Sequence, residues 1–235
     1  AGERLQLEPF TVLVDPSLPA LMARYATLLQ QAHPLRWQRP PPRGWCSWYH
    51  YYATVSADDI RENLDALRAY PQLEYVQIDD GYQARMGDWL LPSDKFAGGV
   101  EALIDTIHRA GRKAGIWLAP FIAESGSALF QTHPDWFVRR ADGSPLPAEE
   151  VTYGGWRCTP WYMLDGTHPQ ALAYLREVVT TMRRDWKVDY FKLDALYWGA
   201  VRGGLRQRPN ATRIEASRAA LQVIHDAADG AFVLG

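Results

Sequence analysis

The sequence has 235 residues, 47% of them apolar and 22% charged, which is the composition of a globular protein that can bury a substantial core. Its 25 basic and 27 acidic residues are spread along the chain without a basic stripe, which argues against a nucleic-acid partner. There is no apolar run long enough to cross a bilayer and no signal-peptide pattern at the start, so we predict a soluble, cytoplasmic protein without a membrane partner. The two cysteines are far apart and predict neither a disulfide framework nor a zinc site.

Aromatic residues are unusually frequent, with ten tryptophans and twelve tyrosines. Sugar rings stack on such faces when carboxylates flank them, but Trp and Tyr are also common core residues. Composition alone therefore leaves carbohydrate binding and ordinary packing both open.

The first forty-three residues differ from the rest of the chain. They contain a strand-like piece at 10–14, a helix-like piece at 18–32 and a proline run at 39–43. This segment has too little apolar surface to fold alone. We therefore predict that residues 1–43 are the end of a preceding domain and a stiff, proline-rich linker.

From residue 44 onward, short β-rich runs alternate with longer helical patterns, which is typical of βαβ units around a parallel sheet. A long excursion at 121–166 interrupts the alternation, and loops of that length are usually functional. The predicted strands are 45–51, 75–79, 114–120, 190–194 and 232–234, and the predicted helices are one that starts after Ser56 and those at 99–110, 169–186 and 212–228.

Two ionisable side chains share one face of the strand at 190–194. Because side chains alternate along a strand, Lys192 and Asp194 point one way while Phe191 and Leu193 point the other. A lysine beside a carboxylate can keep it ionised and oriented, as a carboxylate nucleophile requires. The pattern fits equally well an ion pair that closes a strand end.

Two adjacent acids, Asp79 and Asp80, follow the strand that begins at residue 75. Taken alone they indicate a turn more often than a site, because Asp and Gly are favourite turn residues. The nearby motif at 87–89, Gly-Asp-Trp, shifts the balance, since acids beside aromatics suit recognition of sugar hydroxyls. Trp48 and Trp117 lie on predicted strands, where a single Trp is more often a core residue than a ligand contact.

Five motifs, taken together and in order, resemble the retaining α-galactosidases of glycoside hydrolase family 36, in clan D. The resemblance covers residues 44–235. The motifs are Gly-Trp-Cys-Ser-Trp-Tyr at 44–49, Gln-Ile-Asp-Asp-Gly-Tyr-Gln at 77–83, Gly-Asp-Trp at 87–89, Gly-Ile-Trp-Leu-Ala-Pro-Phe at 115–121 and Tyr-Phe-Lys-Leu-Asp at 190–194.

The resemblance implies an α/β fold of the (β/α)8 TIM-barrel type, here extending to about the fifth strand, with residues 1–14 ending a preceding β-sandwich. It implies that Asp194 is the nucleophile of a double displacement, that Asp79 and Asp80 bind the sugar's 4- and 6-hydroxyls, and that Lys192 bonds the sugar. By the same resemblance Trp48 and Trp117 wall the sugar pocket, and Arg157 reaches the substrate. An α-galactoside oligosaccharide is the implied substrate, with no cofactor and no metal.

One departure from the family pattern concerns the second carboxyl group. A retaining glycosidase needs an acid/base about 5 to 5.5 Å from the nucleophile. Asp226 and Asp229 lie on or just after the last predicted helix and cannot serve. We therefore expect a fragment of a longer chain that has no hydrolytic activity by itself.

Several alternatives stay open from the sequence. They are a non-catalytic sugar-binding barrel, an α-N-acetylgalactosaminidase and a galactosyl transferase of the same clan. A barrel that uses metal or phosphate is weaker, because the sequence has no phosphate-cradling Gly-rich loop and no His-carboxylate ligand set. The sequence leaves the oligomeric state open.

Overall fold

The computed structural model describes residues 10–34 and 40–235, and the chain divides into two compact units, Ala1–Pro41 and Pro42–Gly235. In the first unit, helix α1 (Leu18–Ala32) confirms the predicted helix, and the Ser17 side chain caps its first turn. Residues 10–14 have no strand partner among the described residues, and their place as the last strand of a preceding sandwich stays a prediction. Residues 1–9 of the predicted sandwich segment and residue 39 of the linker lie outside the described residues, and the division at residue 43 stays a prediction.

The second unit is built on a parallel sheet of five strands. Strands are numbered in chain order, and β4 and β5 belong to a separate pair in the long excursion. The order of the five strands in space is β1, β2, β3, β6, β7, so each strand lies beside its predecessor in the barrel sequence. This confirms the predicted α/β fold as part of a TIM barrel. The strands are β1 (Gly44–Cys46), β2 (Tyr75–Ile78), β3 (Lys113–Leu118), β6 (Tyr190–Leu193) and β7 (Phe232–Leu234).

Strand β1 is shorter than predicted, because residues 48–51 form helix α2 (Trp48–Tyr51) instead of continuing the strand. Buried Ser47 causes the change of direction. Its hydroxyl accepts the backbone N–H of Asp79 at 2.9 Å, and its carbonyl accepts the N–H of Tyr51 at 3.0 Å, which closes a helical turn. Trp48 is therefore the first residue of a helix above the strand end.

The helices between the strands follow the prediction closely. Ser56 and Asp59 form a reciprocal capping box at the start of α3, and Thr212 with Glu215 forms another at the start of α7. Helix α6 continues as a π-helical turn at Thr181–Asp185. The helices are α3 (Ala57–Ala66), α4 (Val100–Arg109), α6 (Pro169–Thr180) and α7 (Arg213–Ala227).

The long excursion has structure of its own. Strands β4 (Ile122–Glu124) and β5 (Trp161–Met163) pair antiparallel, and the short helix α5 (Ala128–Thr132) lies between them. Asp88 accepts the backbone N–H groups of Ala128 and Leu129 at 2.9 and 3.0 Å, which fixes the start of α5. These hydrogen bonds attach the excursion, which includes the segment at 152–158, to the loop after β2.

Apolar side chains of alternate strand positions fill the space between the sheet and the helices. Val76, Ile78, Ile116 and Phe191 are all fully buried there. The other face of each strand, which carries Gln77, Trp117 and Lys192, turns towards the barrel interior. No helix in residues 10–34 and 40–235 has both the length and the apolar character that a bilayer crossing requires.

Candidate active site

A pocket of about 310 Å³ opens at the carboxyl ends of β2, β3 and β6. The pocket brings together six of the seven residues singled out in the sequence, and the seventh, Arg157, bonds one of the six. The lining residues are Trp48, Asp79, Asp80, Trp117, Trp156, Lys192 and Asp194. Strand ends at this face are where catalytic groups of β/α barrels are built.

Asp79 is 1% exposed and lies just after β2, so its carboxylate is fixed by neighbours and not by water. Its Oδ2 atom accepts from Lys192 Nζ at 2.9 Å, from the Cys46 thiol at 3.4 Å and from the Gln77 amide. The three donors come from three strands of the sheet, β1, β2 and β6. The register that pairs Cys46 with Gln77 therefore sets the position of this carboxylate.

Burial and the charge of Asp79 together shift the pKa values of two neighbouring groups. Burial alone would lower the pKa of Lys192, but the hydrogen bond and negative charge of Asp79 outweigh it and raise that pKa above its usual value. Burial, reinforced by the charge of Asp79, raises the pKa of the Cys46 thiol to about 12. At neutral pH the pocket floor therefore holds an ammonium group and a neutral thiol beside Asp79.

Asp80 is equally buried, at 1% exposure, and its main partner is Arg157 from the excursion. The guanidinium bonds both carboxylate oxygens, with Nε 3.1 Å from Oδ2 and Nη2 donating to Oδ1. Gln83 donates a further hydrogen bond to Oδ1 at 2.7 Å. Such a bidentate pair fixes the plane of the carboxylate as well as its charge. Arg157 thus acts on the pocket through Asp80.

Asp194 differs from the other two carboxylates because its side chain is exposed to the pocket. The backbone N–H of Ala195 donates to Oδ1 at 2.7 Å, and Trp117 Nε1 donates to Oδ2 at 3.2 Å. Ala195 has φ of 53°, in the left-handed region, which turns its N–H back onto the carboxylate. Each oxygen keeps a free lone pair, so the group is held in place and still open to a ligand.

The tryptophans of the pocket have different surroundings. Trp117 is 1% exposed and packs edge-on against Trp89 at 5.8 Å, so it is a core residue whose N–H reaches the pocket. Trp48 is half-buried and packs edge-on against Tyr52 at 5.3 Å. The Gly-Asp-Trp motif at 87–89 does not supply the sugar contacts that its composition suggested, since Asp88 caps α5 and Trp89 lies behind Trp117.

Sequence reasoning missed one wall of the pocket, Trp156. It precedes Arg157 in the glycine-containing stretch at 154–158, which offered a signal for both residues. Gly155 has φ of 122°, and a Cβ there would lie 2.6 Å from the Trp161 ring. This tight turn projects Trp156 and Arg157 from the excursion to the pocket. Within the described part of the chain, no three His, Cys, Asp or Glu side chains have an arrangement that could hold a metal ion.

Comparison with known proteins gives a consistent family. The melibiase family model matches residues 12–222. An "A type blood alpha-D-galactosamine galactosaminidase" of Flavonifractor plautii is 34% identical over 159 residues, which are 65% of this chain and 14% of that protein. The α-galactosidase of Escherichia coli is 26% identical over 155 residues, 63% of this chain and 20% of that protein.

Solved structures agree with the fold. An α-galactosidase from Thermus thermophilus in complex with p-nitrophenyl α-D-galactopyranoside is 36% identical, with a TM-score of 0.76 over 91% of this chain and 40% of that one. The same enzyme in complex with stachyose gives a TM-score of 0.77 and 43% coverage of that chain. The present chain thus spans less than half of the length of these relatives.

Proposed function

Since this chain belongs to the melibiase family, we propose that it is part of a glycoside hydrolase that removes terminal α-galactosyl residues from oligosaccharides. The observation that carries the proposal is the grouping of carboxylates in one pocket. Asp194 is exposed and open, whereas Asp79 and Asp80 are buried and held by cations. An exposed carboxylate that can attack, beside two buried ones that can bind hydroxyl groups, suits a retaining glycosidase that takes its acid/base group from elsewhere in the polypeptide.

In the proposed mechanism Asp194 attacks the anomeric carbon as the glycosidic bond breaks, and an acid protonates the departing oxygen. The product of this step is a covalent glycosyl ester on Asp194. Water, deprotonated by the same acid/base group, then attacks the anomeric carbon and releases the sugar with its configuration retained. The hydrogen bonds from Ala195 and Trp117 stabilise the carboxylate that leaves in this second step.

Asp79 and Asp80 are proposed to accept hydrogen bonds from the 4- and 6-hydroxyls of the galactosyl unit. Hydrogen bonds to charged acceptors contribute about 1.5–3 kcal/mol each, enough to select an axial 4-hydroxyl over an equatorial one. Lys192 donates to the sugar as well as to Asp79. Trp48 is proposed to pack against the sugar's apolar surface, and Trp117 to close the pocket wall beside Asp194.

The acid/base residue is proposed to lie in sequence beyond residue 235. Among the described residues that line the pocket, the only carboxylates are Asp79, Asp80 and Asp194, and the first two are engaged by Lys192 and Arg157. Asp226 lies on α7, where it bonds Gln222 of the same helix. We expect the 235-residue chain to show no turnover of an aryl α-galactoside; turnover at the rate of a complete enzyme would contradict this.

A galactosamine substrate is a second candidate, favoured by the name of the Flavonifractor relative. A 2-amino or 2-acetamido sugar would present its substituent to parts of the pocket outside this chain. Comparing hydrolysis of the aryl α-galactoside, α-galactosaminide and α-N-acetylgalactosaminide by the complete polypeptide distinguishes these substrates. Galactosyl transfer would appear as a new oligosaccharide when a sugar acceptor is added.

The test of the proposed function is hydrolysis of an aryl α-galactoside by the complete polypeptide, followed by proton NMR. The first sugar released should be the α-anomer, because two displacements retain configuration. Release of the β-anomer would refute double displacement. Binding of galactose without turnover would support the alternative of a non-catalytic sugar-binding barrel. A cytoplasmic location is part of the proposal, as the sequence predicts.

A further inference from the structure

The two oxygens of the Asp79 carboxylate have unequal surroundings. Oδ2 accepts hydrogen bonds from Lys192 Nζ at 2.9 Å, from the Cys46 thiol at 3.4 Å and from the Gln77 amide. In the described part of the chain, Oδ1 accepts one hydrogen bond, from the backbone N–H of Asp80 at 3.0 Å. A carboxylate oxygen has about two lone-pair sites, so Oδ2 is saturated and Oδ1 keeps one site free. Since Asp79 lines the pocket, Oδ1 is the atom that can accept a sugar hydroxyl.

Cys46 reaches this carboxylate from β1, beside the strand that leads to Asp79. Parallel pairing places Cys46 next to Gln77, and the Gln77 amide Nε2 lies 3.3 Å from the Cys46 sulfur. The amide donates to the sulfur and to Asp79 Oδ2, while the thiol donates to the same oxygen. The three groups form a closed triangle of hydrogen bonds, so the thiol also fixes the amide that holds the carboxylate.

The Cys46 thiol keeps its proton at neutral pH. Burial, reinforced by the charge of Asp79, raises the pKa of Cys46 to about 12. A neutral thiol can donate to a carboxylate, whereas a thiolate would repel it. Among the described residues, those that line the pocket do not include Cys46, so it acts on a ligand through Asp79.

From this geometry we infer that Cys46 is a positioning residue for sugar recognition, whose thiol holds the Asp79 carboxylate with Oδ2 occupied and Oδ1 free and so sharpens the preference for the hydroxyl group that Asp79 binds. The inference rests on the proposed function, in which Asp79 and Asp80 bind the 4- and 6-hydroxyls. The carboxylate torsion of an Asp has only a broad intrinsic preference, so its hydrogen bonds decide the orientation. Without the thiol, Oδ2 loses one of its three donors and the carboxylate turns more freely.

The expected effect is confined to one hydroxyl group. Cys46 bonds Asp79, whereas Asp80 is held by Arg157 and Gln83. The ratio of the dissociation constant for 4-deoxygalactose to that for galactose measures recognition of the 4-hydroxyl, and the same ratio for 6-deoxygalactose measures recognition of the 6-hydroxyl. Because each hydroxyl is assigned to a different carboxylate, loss of the thiol should lower one ratio and leave the other unchanged. A general loosening of the pocket would change both.

The experiment measures the dissociation constants of the three sugars by calorimetry with the complete polypeptide. Cys46→Ala should lower one ratio about three- to tenfold, which corresponds to partial loss of one hydrogen bond to a charged group. Cys46→Ser retains a donor, so both of its ratios should lie within about twofold of the parent values. Val76→Ala is the matched control, because Val76 is a fully buried residue of β2 that packs on the helices, and its truncation should leave both ratios unchanged.

A fall of both ratios in Cys46→Ala, or of neither, would overturn the inference and leave the proposed function standing. A fall in Cys46→Ser or Val76→Ala as large as in Cys46→Ala would also overturn it. Cys46→Val likewise lacks a donor and should give the pattern of Cys46→Ala, so it supplies the measurement if the alanine variant does not fold. If the parent polypeptide binds galactose no more tightly than the two deoxy sugars, the binding roles in the proposed function are refuted, and the inference with them.

Discussion

Replacement of Arg157 by alanine tests the link between the excursion and the pocket. The change removes both guanidinium hydrogen bonds from Asp80, which is 1% exposed, and leaves it only the Gln83 amide as a side-chain partner. Two hydrogen bonds to charged groups are together worth about 3–6 kcal/mol when buried. Because the Arg157 side chain is 33% exposed, water can replace part of the lost hydrogen bonding to Asp80. We therefore expect the free energy of unfolding to fall by about 2–3 kcal/mol.

In a domain of about 150–250 residues such a loss lowers the melting temperature by about 4–12 °C, and in the longer complete polypeptide by less. Thermal unfolding of the complete polypeptide measures it, with Arg140→Ala as control. Arg140 also forms a bidentate pair, with Glu150, but both side chains are more exposed, at 37% and 44%. We expect the shift for Arg140→Ala to be less than half as large. We also expect Arg157→Ala to weaken galactose binding, because Asp80 loses the side chain that fixes its carboxylate. Equal melting-temperature shifts for the two variants, or unchanged galactose binding in Arg157→Ala, would refute the reasoning.

Three further predictions concern separate parts of the structure. Asp194→Asn should lower kcat by a factor on the order of 10³ or more in the complete polypeptide while galactose still binds. Asp226→Asn, an exposed change on α7, should leave kcat unaltered. Equal kcat values for the two variants would reject the assignment of Asp194 as nucleophile. Gly166→Ala should lower the free energy of unfolding in urea by about 1–3 kcal/mol, because its Cβ would lie 2.2 Å from a backbone carbonyl oxygen of α7. In Gly98→Ala the new Cβ meets no atom within 4 Å, so that variant should be neutral. Similar urea midpoints for the two variants would refute the packing argument. Burial raises the pKa of the Cys46 thiol from 9.0 in the unfolded chain to about 12, so the stability linked to the neutral thiol is fully present below pH 9 and is lost as the pH rises from 9 towards 12. Cys46→Ala should flatten that part of the stability curve, and an unchanged slope would contradict the burial argument.

The sequence predicted the sheet and its helices well because their signals are local and repeated. The capping box at Ser56 and the alternation of Lys192 with Phe191 follow from short-range geometry. The error at residues 48–51 has a different origin. The helix there depends on Ser47 bonding the backbone of Asp79, which is thirty-two residues away, and no local pattern reports such a contact.

For the candidate site, the sequence placed the residues at strand ends but missed those whose position depends on the excursion. Residues at strand ends, such as Asp79 and Asp194, could be placed because parallel strands bring their carboxyl ends to one face. Trp156 could not be placed, because its position depends on an antiparallel pair within a long excursion and on the turn at Gly155. The family resemblance implied that Arg157 reaches the substrate, but its pairing with Asp80, seventy-seven residues away, was not predicted.

The central claim is that the carboxylate of Asp194 forms a covalent bond with the galactosyl unit. The most direct measurement is to treat the complete polypeptide with 2-deoxy-2-fluoro-α-galactosyl fluoride and to map the adduct by peptide mass spectrometry. The fluorine at C2 slows both formation and hydrolysis of the glycosyl ester, and the departing anomeric fluoride speeds formation alone, so the adduct should accumulate on the peptide that contains Asp194 and be absent after Asp194→Asn. An adduct on a different carboxylate, or none in a polypeptide that hydrolyses aryl α-galactosides, would contradict the account.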